Sequence, residues 1–271
     1  MRRRPRPIGR IYTALIMIFL YAPIFVLVVF SFNSTKSRSV WTGFSSRWYS
    51  QLFQDGSVLN SFYVTILLSV LAAVIATAAG AFAAVGFYNM KKRRRAPLLY
   101  INNIPLINAD IVTGVAMCLL FVSLGSILKF RLGFVTLLIA HITFNIPYVI
   151  LSVMPKLYQL DANLVDAALD LGCTWMQAFR KVIIPEIMPG IINGMIIAFT
   201  MSIDDFVISY FTAGSNVMTL SMKIFSMTRK RVSPEINALS TILFVSVLIL
   251  LLIVNIREIR QEERLKKVKT N

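Results

Sequence analysis

The chain has 271 residues, 57% of them hydrophobic, yet it carries 28 Lys and Arg against 12 Asp and Glu. A net charge of +16 on a soluble chain would suggest a nucleic-acid partner, but such binders are polar and spread their charge over an exposed face. Here the mean hydropathy is +0.72 and only 15% of residues are charged, in clusters between long apolar runs. That pattern excludes a nucleic-acid binder, a soluble enzyme, a disulfide-rich secreted domain and a disordered tail, and it defines a polytopic membrane protein.

A bilayer core takes about 20 apolar residues per helix. Six segments qualify: Ile11–Phe32, Ser61–Tyr88, Leu98–Leu124, Gly133–Met154, Ile187–Thr212 and Asn237–Ile256. The fold class expected is therefore all-α with six transmembrane helices. The first segment follows an Arg-rich start, but it exceeds the ~7–15-residue core of a signal peptide and no A-x-A site follows it, so it reads as an uncleaved span. The third has Asn102, Asn103, Pro105, Asn108 and Asp110 in its first half, and reads either as a kinked span or as a shorter one starting nearer Asp110.

Of the 28 basic residues, nineteen fall on one side of this arrangement. They are Arg2, Arg3, Arg4, Arg6 and Arg10, the run Lys91, Lys92, Arg93, Arg94 and Arg95, then Lys156, Arg180 and Lys181, and six in the tail after Ile256. The positive-inside bias makes that side cytoplasmic, with both termini inside a prokaryotic cell membrane. The bias is weakest for the fifth loop, where Lys223, Arg229, Lys230 and Arg231 fall outside. The domain division expected is a basic N-terminus (1–10), a membrane domain (11–256) and a charged cytoplasmic tail (257–271). The Lys91–Arg95 run is also expected to lie against anionic lipid headgroups.

The segment Pro155–Glu186, between the fourth and fifth spans, is long for a connector. Leu164, Ala168, Leu171, Trp175, Ala178, Phe179 and Val182 share one arc of a helical wheel, opposite Asn163, Asp166, Asp170, Thr174, Gln177 and Lys181. An amphipathic helix is expected, starting at Asn163, interrupted at Gly172 and ended by Pro185. Its polar face carries both signs of charge, which fits a protein partner as well as a headgroup layer.

Within it, Asp166-Ala167-Ala168-x-x-x-Gly172, nine residues, then Val182-x-Ile184-Pro185 resembles the EAA loop of ABC-importer permeases, with Asp for Glu, Val for Ile and Ile for Leu. Asn33-Ser34, Ala140-His141-Ile142-Thr143-Phe144, Ser202-Ile203-Asp204-Asp205 and Val232-Ser233-Pro234-Glu235-Ile236-Asn237-Ala238 are similar to spermidine/putrescine permeases of the PotC type, over about residues 10–256. The resemblance implies a type I ABC importer permease fold and a complex with a second related permease, two ATP-binding subunits and an extracytoplasmic polyamine-binding protein. It also implies that Asp166, Ala167, Ala168, Gly172 and Pro185 couple this chain to the ATPase. No cofactor is expected here: the chain has no G-x-x-x-x-G-K-[ST] loop, so ATP and Mg belong on the partner ATPase.

Three carboxylates fall in or beside the spans: Asp110, Asp204 and Asp205. A carboxylate inside a membrane is costly and faces a cavity or a partner. Polyamines present amines along an apolar chain, so a route for them calls for carboxylates alternating with aromatic faces. Asp110, Asp204 and Asp205 with Tyr148, Tyr210 and Phe206 are the expected substrate route. Asp110 has a second reading as the cap of a helix starting at Ile111. Only one of Asp204 and Asp205 is expected to face the route, because successive helical residues diverge by about 100°. His141 and Thr143 are expected to make interhelical hydrogen bonds. No catalytic residue and no metal site are expected: Cys118 and Cys173 lack ligand spacing, His141 is the single histidine, and neither Gly-x-Gly-Asp nor Gly-x-Ser-x-Gly is present. The same permease role for another substrate, or a stand-alone channel or secondary carrier, are the alternatives.

Overall fold

The computed structural model describes residues 7–35, 40–230 and 234–269. Arg2, Arg3, Arg4 and Arg6, and Val232 and Ser233 of the last similarity segment, lie outside the described residues.

In chain order the helices are α1 (Pro7–Phe30), α2 (Arg47–Gln54), α3 (Gly56–Asn89), α4 (Lys92–Ile107), α5 (Asp110–Leu128) and α6 (Phe134–Gln159). They continue with α7 (Ala162–Asp170), α8 (Trp175–Ala178), a π turn (Phe179–Ile183), α9 (Ile184–Asp204), α10 (Val207–Thr212), α11 (Leu220–Lys230) and α12 (Pro234–Lys269). Among the described residues no strand forms beyond an isolated bridge between Asn33 and Phe44.

Among the described residues five stretches are long and apolar enough to cross a membrane: Ile11–Phe30, Gly56–Asn89, Asp110–Leu128, Phe134–Gln159 and Trp175–Asp204. A shorter apolar stretch, Glu235–Ile249, lies in α12, which covers the expected sixth span. Two expected spans are shortened. For the third the shorter of the two readings holds: the chain is extended at Asn108 and Ala109, and the span starts at Asp110. The fifth ends at Asp204 rather than Thr212, because Asp205 is extended and α10 begins a new helix.

The chain divides into two compact units, with the boundaries inside α3 and α11: residues 1–59 with 224–271, and residues 60–223. In the first, the turn after α1 is organised by the buried Asn33. Its amide donates to the Val40 carbonyl at 2.9 Å, and its Oδ1 accepts from the Thr42 N–H and hydroxyl, each at 3.0 Å. The Trp48 indole donates to the Asn33 carbonyl at 2.7 Å, and Phe32 stacks between Phe44 and Tyr49. The Asn33-Ser34 signature is thus a folding element, in which a buried amide satisfies a loop's backbone groups. Ile236 and Ala238 of the last signature are buried in α12.

In the second unit α6 is the central helix, and its inward stripe is held in two ways. Toward the α6 N-terminus the contacts are hydrogen bonds: Thr136 Oγ1 donates to the Thr212 carbonyl (2.8 Å), His141 meets Ser209 (3.0 Å), and Asn145 Nδ2 donates to Ser202 Oγ (2.7 Å). Toward its C-terminus the contact is close packing. A Cβ on Gly194 would lie 3.2 Å from the Val149 Cα, and one on Gly80 would lie 2.7 Å from the Val149 Cβ. Small residues let helices approach this closely where apolar surroundings on every side remove the usual hydrophobic drive. Val149, Val153, Leu157, Phe179, Ile183 and Ile187 form the buried cluster there. Arg95 does not extend freely from the basic run: its guanidinium lies 5.3 Å from the Tyr158 ring centroid and 3.5 Å from the Tyr88 carbonyl.

Candidate functional site

The connector between α6 and α9 is two helices and a turn, not one interrupted helix. Asp161, rather than Asn163, caps α7, its side chain accepting from the Asn163 N–H at 3.0 Å. At the other end Gly172 has φ +84, with Gly172 N–H donating to the Leu169 carbonyl (2.9 Å) and Cys173 N–H to the Ala168 carbonyl (3.0 Å). That pair of bonds is a Schellman ending, which places a left-handed residue at the position Gly172 occupies. Gly172 therefore ends a helix, and carries no mid-helix penalty. Thr174 and Gln177 then form a reciprocal capping box that starts the next helix. The sequence signal for it is the Thr-x-x-Gln spacing, which a helical wheel does not register.

This turn resets the helical phase, so the expected apolar arc divides. Ala178 and Phe179 are buried, whereas Leu164, Leu171 and Trp175 are exposed. Asp166, Ala167, Gly172 and Pro185 are exposed and Ala168 is half-buried. Pro185 does not end the helix. Trp175–Asp204 runs on through the π turn, where the Ile184 N–H reaches back to the Phe179 carbonyl. Proline supplies no N–H and crowds the carbonyl four residues earlier, and the wider π turn just upstream accommodates it.

The expected substrate-route residues all lie in the second unit. Asp110 is the first residue of α5, where a carboxylate suits the helix dipole, but Ala109 holds the cap position and no side-chain cap bond forms, so the capping reading fails. Asp110 lies near Tyr148, which is half-buried on α6. Tyr148 packs with Phe121, Phe144 and Ile208, so α5, α6 and α10 meet there. Gly114 of α5 permits this approach: a Cβ there would lie 3.0 Å from the Phe211 ring.

Asp204 and Asp205 diverge, for a reason other than helical azimuth: one ends α9 and the other lies beyond it. Asp204 is exposed. The Asp205 side chain is 9% exposed and its carboxylate accepts from the Ser209 N–H (2.8 Å) and the Ile208 N–H (3.3 Å), capping the first turn of α10. Oδ2 also lies 3.5 Å from Nε2 of the fully buried His141. Tyr210 is 51% exposed, and its ring centroid is 5.5 Å from that of Phe206. His141 makes the expected interhelical bond, to Ser209. Thr143 does not: its hydroxyl returns to the Ile139 carbonyl of its own helix.

Serine, histidine and aspartate meet here without the order a nucleophile needs. The serine is fully buried, and the carboxylate faces the same imidazole nitrogen, Nε2, that meets the hydroxyl. Among the described residues no cluster of His, Cys, Asp and Glu has metal-ligand geometry. Two features went unread in the sequence. Asn145 and Ser202 pair across α6 and α9, with no local signal. The Gly190-x-x-x-Gly194 spacing on α9 is a small-residue motif that marks the α6 contact.

The fold is that of ABC-transporter permease subunits. It matches a bacterial ABC transporter involved in alginate import with a TM-score of 0.71, at 16% identity over 92% of each chain. It matches the MetNI methionine ABC transporter in inward-facing form with a TM-score of 0.61, at 16% identity over 79% of this chain and 97% of the other. The chain belongs to the family of binding-protein-dependent transport system inner membrane components, whose profile matches residues 76–266. It is 39% identical over 228 residues to the putrescine transport system permease protein PotI of Escherichia coli K12, covering 83% of this chain and 81% of that one. It is 36% identical over 249 residues to the spermidine/putrescine transport system permease protein PotC of the same strain, covering 90% and 93%. The protein is thus an integral membrane permease and not an enzyme.

Proposed function

We propose that this chain is a transmembrane subunit of an ATP-driven importer for polyamines, spermidine or putrescine. The observation that carries the reading is its likeness over most of its length to permeases named for those two substrates. In this reading the chain pairs with a second related permease, receives cargo from an extracytoplasmic polyamine-binding protein, and keeps both termini in the cytoplasm.

ATP and Mg are held by two partner ATPase subunits, which dock on the exposed Asp166–Gly172 turn and the Pro185 region. The geometry of that turn supports the role: two capped helices joined by a Schellman turn form a stiff lever continuous with the span Trp175–Asp204. Motion at the ATPase is passed from α7 across the Schellman turn into the continuous helix Trp175–Asp204. Asp110, Tyr148, Asp204 and Tyr210 line the route, offering carboxylates for ammonium groups and ring faces for the methylene segments between them. His141 and Tyr148 lie about 11 and 21 Å along the axis of α6 from Phe134, so the group occupies the middle stretch of a 26-residue helix.

The test is uptake of labelled spermidine or putrescine by the reconstituted complex with its binding protein. Uptake that requires ATP and all partner subunits is expected. A chain that transports alone in liposomes, indifferent to ATP, overturns the reading in favour of a channel or secondary carrier.

A further inference from the structure

Asp204 and Asp205 are adjacent acids of the same type, but they occupy different environments. The Asp205 carboxylate receives two backbone N–H groups of α10 and faces His141. His141 is fully buried on α6, and its Nε2 also meets the fully buried Ser209 at 3.0 Å. The hydrogen-bond donors on the Asp205 carboxylate and the imidazole it faces thus belong to α10 and α6, and its side chain is only 9% exposed. Asp204, one residue earlier, is exposed at the last position of α9. The extended backbone at Asp205 separates the two.

We propose that Asp205, with His141 and Ser209, is a positioning residue: it latches the start of α10 to α6 and so sets where the break after α9 presents Asp204 and Tyr210. What the latch requires of position 205 is an acceptor for the Ser209 and Ile208 N–H groups, not a charge. Asparagine and serine supply such an acceptor at a helix start about as well as aspartate, and alanine does not. At position 141 the requirement is a donor at the place of Nε2, which glutamine supplies and leucine lacks. A substrate ligand would follow the opposite rule, since an amine cation loses its counter-charge in the asparagine variant.

The inference builds on the reading of Asp204 and Tyr210 as route residues, so the experiment carries two independent readouts in the assembled transporter in membrane vesicles. The first is polyamine uptake, resolved into maximal rate and half-saturation. The second is modification of a cysteine placed at Ile208, which is 3% exposed, in a chain with Cys118→Ser and Cys173→Ser.

The expected result is that Asp205→Asn, Asp205→Ser and His141→Gln keep the maximal rate within about threefold and leave the Ile208→Cys thiol protected, because the cap or donor survives. Asp205→Ala and His141→Leu lower the maximal rate about tenfold or more with little change in half-saturation, and the thiol reacts. If the alanine and leucine variants fail to assemble, recovery of assembly and uptake by Asn, Ser and Gln at these positions still supports the latch. A several-fold rise in half-saturation for Asp205→Asn with the thiol protected overturns it and makes Asp205 a substrate ligand. Equal protection in the alanine and asparagine variants overturns it as well. Thiol protection that follows the cap, together with no effect of Asp204→Asn on uptake, leaves the latch standing and removes the route reading instead.

Discussion

At the scale of single residues, the two neighbouring aspartates carry the main lesson. Residue type and span membership mark both as candidates, and nothing in the local sequence separates them. The distinguishing partner of Asp205 is His141, on another helix, and no periodicity argument reaches it. Asp204, exposed and without a cap to fill, is the acid expected to meet substrate. Asp204→Asn is therefore expected to raise the half-saturation for spermidine uptake several-fold while the complex still assembles, measured on reconstituted transporter against wild type. An unchanged half-saturation would remove Asp204 from the route. Asn33 shows the opposite case. The Asn-Ser pair is visible in the sequence as a signature, and the hydrogen bonds of Asn33 to Val40, Thr42 and Trp48 explain it as the organiser of a turn rather than a site.

At the scale of elements, capping decides what composition leaves open. The amphipathic wheel over residues 164–182 locates a helical connector correctly but joins what the Schellman turn separates. Gly172 is needed for its positive φ, a region that asparagine also visits and β-branched residues avoid. Gly172→Asn is expected to keep ATP-driven uptake near wild type. Gly172→Val should misdirect the turn and uncouple transport from ATP hydrolysis, read as ATPase activity that no longer responds to loaded binding protein. Equal activity in the two variants would show that the turn's geometry is not used.

The same scale governs the α6–α9 contact. A Cβ on Gly194 would already lie 3.2 Å from the Val149 Cα and Cγ1 and 3.5 Å from the Ser152 Cβ, so a leucine side chain would have to push α6 away. Overpacking of this kind costs about 1–3 kcal/mol or more. Gly194→Leu is expected to lower the thermal midpoint of the detergent-solubilised protein and the yield of assembled complex. A midpoint equal to wild type would contradict the packing described.

At the scale of the whole molecule, hydropathy and charge together define a polytopic membrane protein before any contact is known. The orientation expected from the basic loops is open to direct test. With Cys118 and Cys173 replaced by serine, a cysteine at Lys91 should resist a membrane-impermeant thiol reagent applied from outside, and one at Lys129 should react. The reverse pattern would invert the topology.

The order of the apolar helices and the presence of a helical connector after α6 were legible in the sequence, because a bilayer imposes a length and polarity on each span that only composition must meet. Where helices stop was decided by the tertiary structure. The break at Asn108–Ala109 is one of two readings the polar residues there leave open, while the break at Asp205 lies inside a stretch that hydropathy reads straight through, and there His141, Ser209 and the α10 backbone satisfy the carboxylate. His141 and Ser209 are 68 residues apart in the chain. A hydrogen bond between such positions leaves no trace in local pattern. It exists only once helices pack closely enough for a buried polar group to prefer a neighbour to the water it has lost.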